Sequence, residues 1–511
     1  MKRHHKNTSQ QGQTDHPRGF VLLVVLTVIV LLSLSAYQFA DRMTTEREVV
    51  SYYVEESQCR QAAASGIEYT LALVTSEGFD LMALNETPDV FIARLLSEES
   101  DTEPELATRF SIVAGVQLDY PEELQFGIKS EQGKLNLNSI AELDVPLEDQ
   151  REMLMNLPDM TETIADTILD FIDSDASPRD FGTESDEGSF MVRNAALSSL
   201  DELLAIPDIT TELLYGEDLN RNGLLDIEED DGEMTLPLDN ADGSLQFGWN
   251  TYLTVWGRES NLRSDGTPKI NLNMENLDQL QADLTIDFGQ ELADFVVAYR
   301  QSGASQAAEE TLLPPSGNRS SPNQITGSSG QSSQSSQSAG LQIRSIFELF
   351  DATTTAPNGN QGETLTSPWT TSDLSFMEQV YDTLTLSEGD VTSGRIDINH
   401  ASYEVLVGLP SSSDALAEFI VSYAGTFEFP SDLLSSGVVD IATMRKIEPF
   451  LTTRSGVYRF RSIGFSAQTK IQISTEVVID IAGEQPLILM YQELPPHASK
   501  WTEDQLLGLF E

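Results

Sequence analysis

The strongest pattern in the chain is an uninterrupted apolar run at residues 20–40, with no comparable run later. A helix rises 1.5 Å per residue, so this run spans about 30 Å, the thickness of the hydrocarbon core of a bilayer. Neither Gly nor Pro occurs between Phe20 and Ser65, and apolar positions continue at helical spacing to Ile67. The pattern predicts a transmembrane segment, 20–40, that opens a single helix ending near residue 76.

Charged residues on both sides of the run predict its orientation. Four basic residues precede it and three acidic residues follow it: Lys2, Arg3, Lys6 and Arg18, then Asp41, Glu46 and Glu48. By the positive-inside bias, the N-terminus lies in the cytoplasm and the bulk of the chain lies outside. The 82 acidic and 29 basic residues give a formal net charge of −53, which disfavours nucleic acid and anionic membranes and favours divalent cations. The single cysteine, Cys59, excludes an internal disulfide.

A short motif occurs three times in the middle of the chain, at Lys134–Asn138, Lys269–Asn273 and Arg395–Asn399. Each copy alternates like a strand and ends in an asparagine suited to cap the helix that follows. Apolar residues then share one helical face, namely Ile164, Ile168 and Ile172 after the first copy and Ala415, Phe419 and Tyr423 after the third. The repeats therefore predict small helical modules.

These modules resemble the helix-hairpin-helix units of DNA-binding proteins. Such hairpins bind a phosphate through glycine-rich backbone amides, with help from nearby Lys or Arg. Here the turns 157–162 and 409–414 are L-P-D-M-T-E and L-P-S-S-S-D, with an acid where the phosphate would bind. We therefore expect packing modules, and DNA binding is the alternative.

Residues 218–229 match the twelve-residue calcium loop of an EF-hand. Gly223 stands at position 6, where the loop turns sharply. The predicted oxygen ligands are Asp218, Asn220, Asn222, the backbone carbonyl of Leu224, Asp226 and Glu229. The pattern predicts bound calcium as a permanent staple, without the paired EF-hand fold. A solvated acidic loop is the alternative.

Alternating apolar and polar positions predict strands before and after the helical region. The predicted strands are 110–113 with 124–138, turning at 131–133; a hairpin of 247–249 with 252–256; and three antiparallel strands at 456–464, 469–481 and 487–492. One sheet thus begins before the helical region and ends after it. Residues 301–341 are dominated by Ser, Gln, Gly and Pro and predict a flexible linker.

The junction Arg18-Gly19-Phe20 resembles the leader of type IV prepilins, which a prepilin peptidase cuts after the glycine. This resemblance implies cleavage between Gly19 and Phe20, with methylation of the new N-terminus; an uncleaved signal anchor is the alternative. Pilins and most pseudopilins carry glutamate at the fifth mature position, where this chain has Val24. The K protein of the type II secretion system departs in the same way, so the chain resembles that minor pseudopilin family (general secretion pathway protein K).

A second acidic cluster extends this resemblance. Asp170, Asp173, Asp175 and Glu184 are similar to the D-W-x-D-x-D and G-x-E stretch of the K pseudopilins, with Phe171 in place of the tryptophan. Calcium is associated with that family, so the resemblance implies a second ion site. Because the spacing alone defines no site, a capped helix end is an equal alternative.

The resemblance implies an α+β fold, in which a long N-terminal transmembrane helix packs on an antiparallel pilin-like sheet. A large inserted helical domain would contain helix-hairpin-helix-like (SAM-like) modules. The predicted divisions are the leader 1–19, helix 20–76, first sheet part 77–138, inserted domain 139–300 with a strand segment near 247–273, linker 301–341, second helical module 342–454, final strands 455–493 and tail 494–511.

The function implied is that of a minor pseudopilin at the tip of a pseudopilus, in the bacterial inner membrane with its bulk in the periplasm. Implied partners are other minor pseudopilins, the prepilin peptidase and the inner-membrane platform of the secretion system. The alternative is a membrane-anchored DNA receptor. No His, Cys or Ser arrangement typical of nucleophilic catalysis occurs, so we expect no enzymatic activity.

Overall fold

The computed structural model of the protein describes residues 18–76, 87–95, 107–117, 120–143, 145–183, 192–218, 225, 229–230, 232, 234, 241–304, 341–356, 364–466, 469–483, 485–494 and 501–508. The leader up to residue 17 and most of the predicted linker, 305–340, lie outside the described residues.

The N-terminal helix, α1, covers Arg18–Val74 without interruption. Among the described residues it is the one helix long and apolar enough to cross a membrane, and its most apolar window is exposed throughout. Its second half is different, because Cys59, Ala63 and Ile67 are buried against the rest of the protein. The prediction of one long N-terminal helix is confirmed, and the helix ends within two residues of the predicted position.

Shorter elements make up the remainder of the described chain. The helices are α2 Leu137–Ile140, α3 Leu147–Glu152, α4 Glu162–Ile172, α5 Thr211–Tyr215, α6 Leu277–Phe288, α7 Gln290–Ser302, α8 Met377–Thr383, α9 Tyr403–Val407, α10 Asp414–Ser422, α11 Asp432–Ser435, α12 Ile441–Ile447 and α13 Glu503–Leu506. The strands are β1 Arg94–Leu95, β2 Thr108–Gln117, β3 Tyr120–Phe126, β4 Lys129–Ser130, β5 Leu135–Asn136, β6 Leu253–Thr254, β7 Arg258–Ser260, β8 Ile270–Asn271, β9 Thr353–Thr355, β10 Thr364–Thr366, β11 Leu384–Thr385, β12 Val391–Ser393, β13 Ile396–Asp397, β14 Leu451–Thr452, β15 Val457–Ser466, β16 Gln472–Asp480 and β17 Leu487–Glu493.

A seven-stranded antiparallel sheet is assembled from both ends of the chain. Its order is β1-β2-β15-β16-β17, with β3 beside β2 and β4 beside β15. In the central pairing, Val113 of β2 lies opposite Arg461 of β15. Helix α1 lies across β2, β15 and β16, and the core between them includes Ile67, Phe110 and Phe460. The prediction of a sheet that begins before the helical region and ends after it is confirmed.

Glycine permits the close approach of the helix to the sheet. A Cβ built on Gly464 would lie 1.9 Å from the backbone oxygen of Cys59 and 2.7 Å from the amide nitrogen of Ala63. Beside it, the Ser462 hydroxyl donates a hydrogen bond to the Ala63 carbonyl oxygen at 2.7 Å. Any side chain at residue 464 would push α1 away from β15.

Two strand predictions hold only in part. The turn predicted at 131–133 is present as a short 3₁₀ turn capped by the Ser130 hydroxyl, and Val113 pairs with Phe126 as the predicted hairpin requires. The remainder of 124–138 does not form one strand, because β4 pairs with β15 and β5 pairs with β6. The predicted hairpin of 247–249 with 252–256 does not form, because Trp249–Thr251 is also a 3₁₀ turn. Its second half, β6, pairs in parallel with the distant β5 instead. Tertiary pairing overrode the local alternation in both places.

The helical domain lies between the two halves of the sheet. Its buried apolar residues form one continuous core from Leu135 to Leu451, so both predicted helical stretches share that core. The α+β class is therefore confirmed: a long helix packs on an antiparallel sheet, and a large helical domain is inserted into the sheet.

The three repeated motifs adopt the same local structure. Each forms a two-residue strand that pairs in parallel with a Leu-Thr strand at the end of its unit: β5 with β6, β8 with β11, and β13 with β14. The final asparagine of each copy then uses both ends of its amide to bind the backbone N–H and C=O of one distant residue. The pairs are Asn138 with Leu197, Asn273 with Ile343, and Asn399 with Phe427.

The predicted capping role of these asparagines is therefore wrong. The residue that caps α2 is Asn136, whose side chain accepts from the amide of Asn138. Helices α6 and α9 begin later, after Asn276 and Ser402. The final asparagine instead binds a loop that is distant in the chain. Its amide pairs with one backbone N–H and one backbone C=O of that loop, which would otherwise lack hydrogen-bond partners.

Candidate membrane, metal and junction sites

The predicted processing residues lie in the first turn of α1. Gly19 and Phe20 are helical, and the Phe20 side chain is exposed. Val24 is also exposed, so the helix surface at this position is apolar. The hydroxyl of Thr27 donates to the Leu23 carbonyl oxygen at 2.8 Å, which satisfies this polar group within the helix, as a bilayer requires.

The predicted calcium loop begins at a tightly built base. Helix α5 ends at Gly216, whose φ of +71° favours glycine and whose added Cβ would lie 2.1 Å from the Gln246 carbonyl oxygen. Gly216 forms an antiparallel bridge with Phe247. Next to it the Glu217 carboxylate accepts a hydrogen bond from the Gln246 amide at 3.0 Å. The chain thus leaves and re-enters the domain at neighbouring points.

Only the ends of the ligand set lie within the described residues. Asp218 is half-buried and Glu229 is buried, and both make further contacts within the molecule. The other predicted ligands, Asn220, Asn222, Leu224 and Asp226, lie outside the described residues. Among described residues, no three or more His, Cys, Asp or Glu side chains converge on one point. A carboxylate at loop position 12 matches the place of the bidentate ligand in calcium loops of this kind.

The second acidic cluster is organised around an arginine. Asp170 is fully buried and accepts two hydrogen bonds from the backbone amide of Arg179, at 3.2 and 3.3 Å. The Arg179 guanidinium lies 3.5 Å from Asp170 and 3.8 Å from Asp173. Asp175 instead accepts from the amide of Ser177 at 2.7 Å, and Glu184 lies outside the described residues. These contacts resemble the capped helix end that was the alternative; ion binding here stays a prediction.

A buried carboxylate that sequence analysis missed joins the sheet to the helical domain. Glu131 is 1% exposed. It accepts from Arg459 Nε at 2.6 Å, from the Thr254 hydroxyl at 2.6 Å and from Lys134 Nζ at 3.0 Å. Its three partners come from β15, from β6 and from the first repeat. We call this set the Glu131 junction.

The electrostatics of the Glu131 junction favour the ionised carboxylate. Burial opposes the charge, but Arg459 and Lys134, with hydrogen bonds from Arg459 and Thr254, outweigh burial and hold the pKa of Glu131 well below its usual range. Burial lowers the pKa of Lys134 to about 8 despite the attraction of Glu131. No local pattern marks Glu131, because its strongest partner is separated from it by the entire helical domain.

Comparisons with known proteins show a distant likeness to a solved structure. No family model matches the chain, and no curated protein matches it. Among solved structures, the chain is similar to a chain of the crystal structure of the GspK–GspI–GspJ complex from the type 2 secretion system of enterotoxigenic Escherichia coli. The two are 13% identical, the match covers 88% of this chain and 99% of the other, and the TM-score is 0.31. The similarity is remote in both sequence and backbone geometry.

Proposed function

We propose that this protein is a non-enzymatic minor pseudopilin of a type II secretion system, which caps the tip of a pseudopilus and starts its assembly. The observation that carries this proposal is the sheet, whose halves come from the two ends of the chain and close beneath one long N-terminal helix. That arrangement suits a subunit in which the N-terminal half of α1 packs in a bundle of similar helices, while the sheet carries an additional helical domain.

The lower half of α1 supports assembly in a membrane. Its exposed apolar side chains offer a continuous surface to lipid or to neighbouring helices. A carboxylate within a bilayer is costly unless a partner compensates it. Because Val24 stands where related subunits carry glutamate, this subunit lacks the group that would pair with the N-terminal amine of a neighbour. A position at the tip, with no subunit above it, fits that difference.

Processing at Gly19 is the direct test of the proposal. The intact mass and N-terminal peptide of the membrane-extracted protein should show a chain that begins at Phe20. Gly19→Trp should leave the leader attached, while Ser33→Ala, within the same helix, should be processed normally. A chain that retains Met1 in the unaltered protein would reject the pseudopilin assignment.

Charge argues against the alternative of a DNA receptor. The turns that would bind phosphate open helices α4 and α10, whose first turns carry Glu162 and Asp414. A carboxylate at a helix N-terminus competes with a phosphate for the same amides. A gel-shift titration of the detergent-solubilised protein with duplex DNA at low salt should therefore show no binding; tight binding would favour the receptor.

We further propose that the 218–229 loop binds calcium as a structural staple. The motif matches at every ligand position, and its base is held by the Gly216–Phe247 bridge. Asp218 and Glu229 would hold the ion from the two ends of the loop. A bound cation would offset the repulsion among the acidic side chains of this segment.

A further inference from the structure

Two buried glutamates, distinct from the acidic cluster around Asp170, lie between the second and third repeats and border a cavity of about 220 Å³. Glu259 and Glu448 are 4% and 2% exposed. Arg395, from the start of the third repeat, stands between them, and Lys269, from the start of the second, lines the same cavity. We call these four residues the Glu259 cluster.

The Glu259 cluster and the Glu131 junction contain the same kinds of group, but the distances between their charged side chains differ. In both, a buried glutamate accepts from the threonine of a Leu-Thr strand: Thr254 at 2.6 Å for Glu131 and Thr452 at 2.8 Å for Glu259. Arg459 then closes on Glu131 at 2.6 Å. Arg395 instead lies 3.5 Å from Glu259 and 3.5 Å from Glu448, at the outer limit of hydrogen bonding.

The cations of the Glu259 cluster retain unused donors. Arg395 Nε is buried, with no hydrogen-bond partner among the described residues. Lys269 Nζ donates to the Tyr381 carbonyl oxygen at 2.7 Å, and no other described group accepts from this ammonium. A buried donor without an acceptor loses its hydrogen bonds to water and gains none in return, so groups of this kind generally face a bound water or ion.

The charge and lining of the cavity favour an anion. Its wall carries three cations, Lys269, Arg344 and Arg395, against Glu259 and Glu448. Burial raises the pKa of Glu448, which favours its neutral form and so reduces the negative charge of the cavity wall. Burial also lowers the pKa of Lys269 to about 8, with Arg454 adding to the effect. Six residues with hydroxyl groups also line the cavity: Ser260, Tyr381, Thr385, Ser387, Thr392 and Ser393.

We propose that this cavity binds a small oxyanion, a phosphate or carboxylate group, through the guanidinium of Arg395 and the ammonium of Lys269. Arginine suits this role because its planar donors match the oxygens of such anions. The hydroxyls would donate to the remaining oxygens. The ligand would join the second and third repeats, where the direct ion pairs are long. This inference does not depend on the proposed secretion function.

The test is thermal unfolding of the full-length protein in detergent, in sodium phosphate, sodium acetate or sodium chloride at equal ionic strength. Phosphate or acetate should raise the midpoint above that in chloride. A response to phosphate alone identifies a phosphate-type ligand, and a response to acetate alone identifies a carboxylate. No difference among the three salts would overturn the proposal.

Variants separate this cavity from other basic sites. Arg395→Lys keeps the charge but loses the planar donors, and Lys269→Met removes the ammonium; each should weaken the apparent affinity for the anion about tenfold or more. Lys134→Met, the matched change in the Glu131 junction, should keep the full response. An anion response of equal size in all three variants would place the anion elsewhere and overturn the proposal.

A measurement on the unaltered side chains covers the case in which a variant fails to fold. The charged groups near Lys269 are Arg454, Glu259, Arg395 and Asp382, with Arg344 and Glu448 also lining the cavity. An anion among them favours the charged ammonium. The pKa of Lys269, followed by NMR of ¹³C-methylated lysines, should rise above about 8 when the effective anion is added. An unchanged pKa at saturating anion would contradict the proposal.

Discussion

The sheet body and the helical domain of this protein are built in opposite ways. The body combines α1 with strands from both ends of the chain, so its core depends on contacts between distant segments. The helical domain is contiguous from Leu135 to Leu451 and repeats one local unit three times. The sheet of the body can form only when the strands on both sides of the helical domain are present. The helical domain, in contrast, contains the strands and loops that complete its own three units.

The difference explains how so large a domain fits within a sheet. The chain leaves the body at β4 and returns at β15, and these two strands pair directly, with Ser130 opposite Tyr458. An insertion whose ends are adjacent disturbs its host least. The Glu131 junction lies at this point and ties body to domain. Single substitutions should therefore affect the body, the domain and the junction separately.

The first prediction concerns the junction itself. Glu131→Gln leaves Arg459 and Lys134 without their shared carboxylate, and breaking a buried pair of this kind costs about 3–5 kcal/mol. Urea unfolding followed by tryptophan fluorescence should show this loss, since the Arg459 guanidinium lies over the ring of Trp256, 5.5 Å from its centroid. Glu68→Gln, at an exposed position of α1, should change the unfolding free energy by less than about 0.5 kcal/mol. Equal losses of unfolding free energy in the two variants would contradict a stabilising role for the Glu131 junction.

The same carboxylate predicts a pH dependence. Because the pKa of Glu131 is depressed in the folded state, its contribution is present above the unfolded pKa of about 4.3 and is lost as pH falls toward the folded value. The difference in unfolding free energy between the parent and Glu131→Gln should therefore be full at neutral pH and should shrink progressively below about pH 4. A difference that is constant across this range would show that Glu131 acts through its shape and not its charge.

The second prediction breaks the body alone. Gly464→Val places a side chain against the backbone of α1 at Cys59 and should cost about 3 kcal/mol, the upper part of the range for overpacking. Proteolysis should then release the helical domain more readily from the body. Gly483→Val is the control, since an added Cβ there meets no atom within 4 Å. Equal destabilisation by both variants would reject the tight helix–sheet contact.

The third prediction concerns the helical domain and calcium. At a free calcium concentration about 100 times the dissociation constant, a bound ion stabilises the folded state by about 2.7 kcal/mol. Chelation should lower the unfolding midpoint of the parent, and Asp218→Ala should abolish that response. Asp373→Ala, at an exposed turn of the same domain, should retain it. An unfolding midpoint of the parent that is unchanged by chelator would contradict the proposal that calcium stabilises this loop.

The fourth prediction tests whether the repeats are equivalent. Asn399→Ala leaves the amides of Gly425 and Phe427 without the oxygen that binds them at 2.9 and 3.2 Å, for a cost of about 2 kcal/mol. Asn138→Ala and Asn273→Ala should cause similar losses, measured by urea unfolding, because each removes the same pair of contacts to a loop. A negligible effect at one position and a large effect at the other two would show that the units are not energetically alike.

Much of the fold could be predicted because its signals are local. The long α1 follows from an apolar run without Gly or Pro, and β15, β16 and β17 follow from alternation at the end of the chain. The errors occurred where short segments pair with distant strands: β4 pairs with β15, β5 pairs with β6, and Trp249–Thr251 is a 3₁₀ turn in place of part of a hairpin. Such pairings depend on a partner strand far away in the chain, which a periodic pattern does not contain.

The candidate sites divide in the same way. Gly19, Phe20 and the 218–229 loop could be proposed from the sequence, because their chemistry is encoded by spacing within a few residues. The motif asparagines were found, but their role was wrong, since Leu197, Ile343 and Phe427 become their partners only on folding. The roles of Glu131 and Arg395 as buried charged partners were missed, because isolated charged residues are common in a chain with 82 acids.

By itself, then, the sequence determined the long apolar N-terminal helix, the three repeated motifs and the division of the sheet between the two ends of the chain. These features depend on hydrophobic periods and on residue order, which are properties of the chain before it folds. Only the tertiary structure decided which strands pair, where Gly464 admits the helix and which cations surround Glu131 and Glu259. Those outcomes depend on distances of a few ångströms between segments far apart in the chain, and such distances exist only after the apolar surfaces have packed.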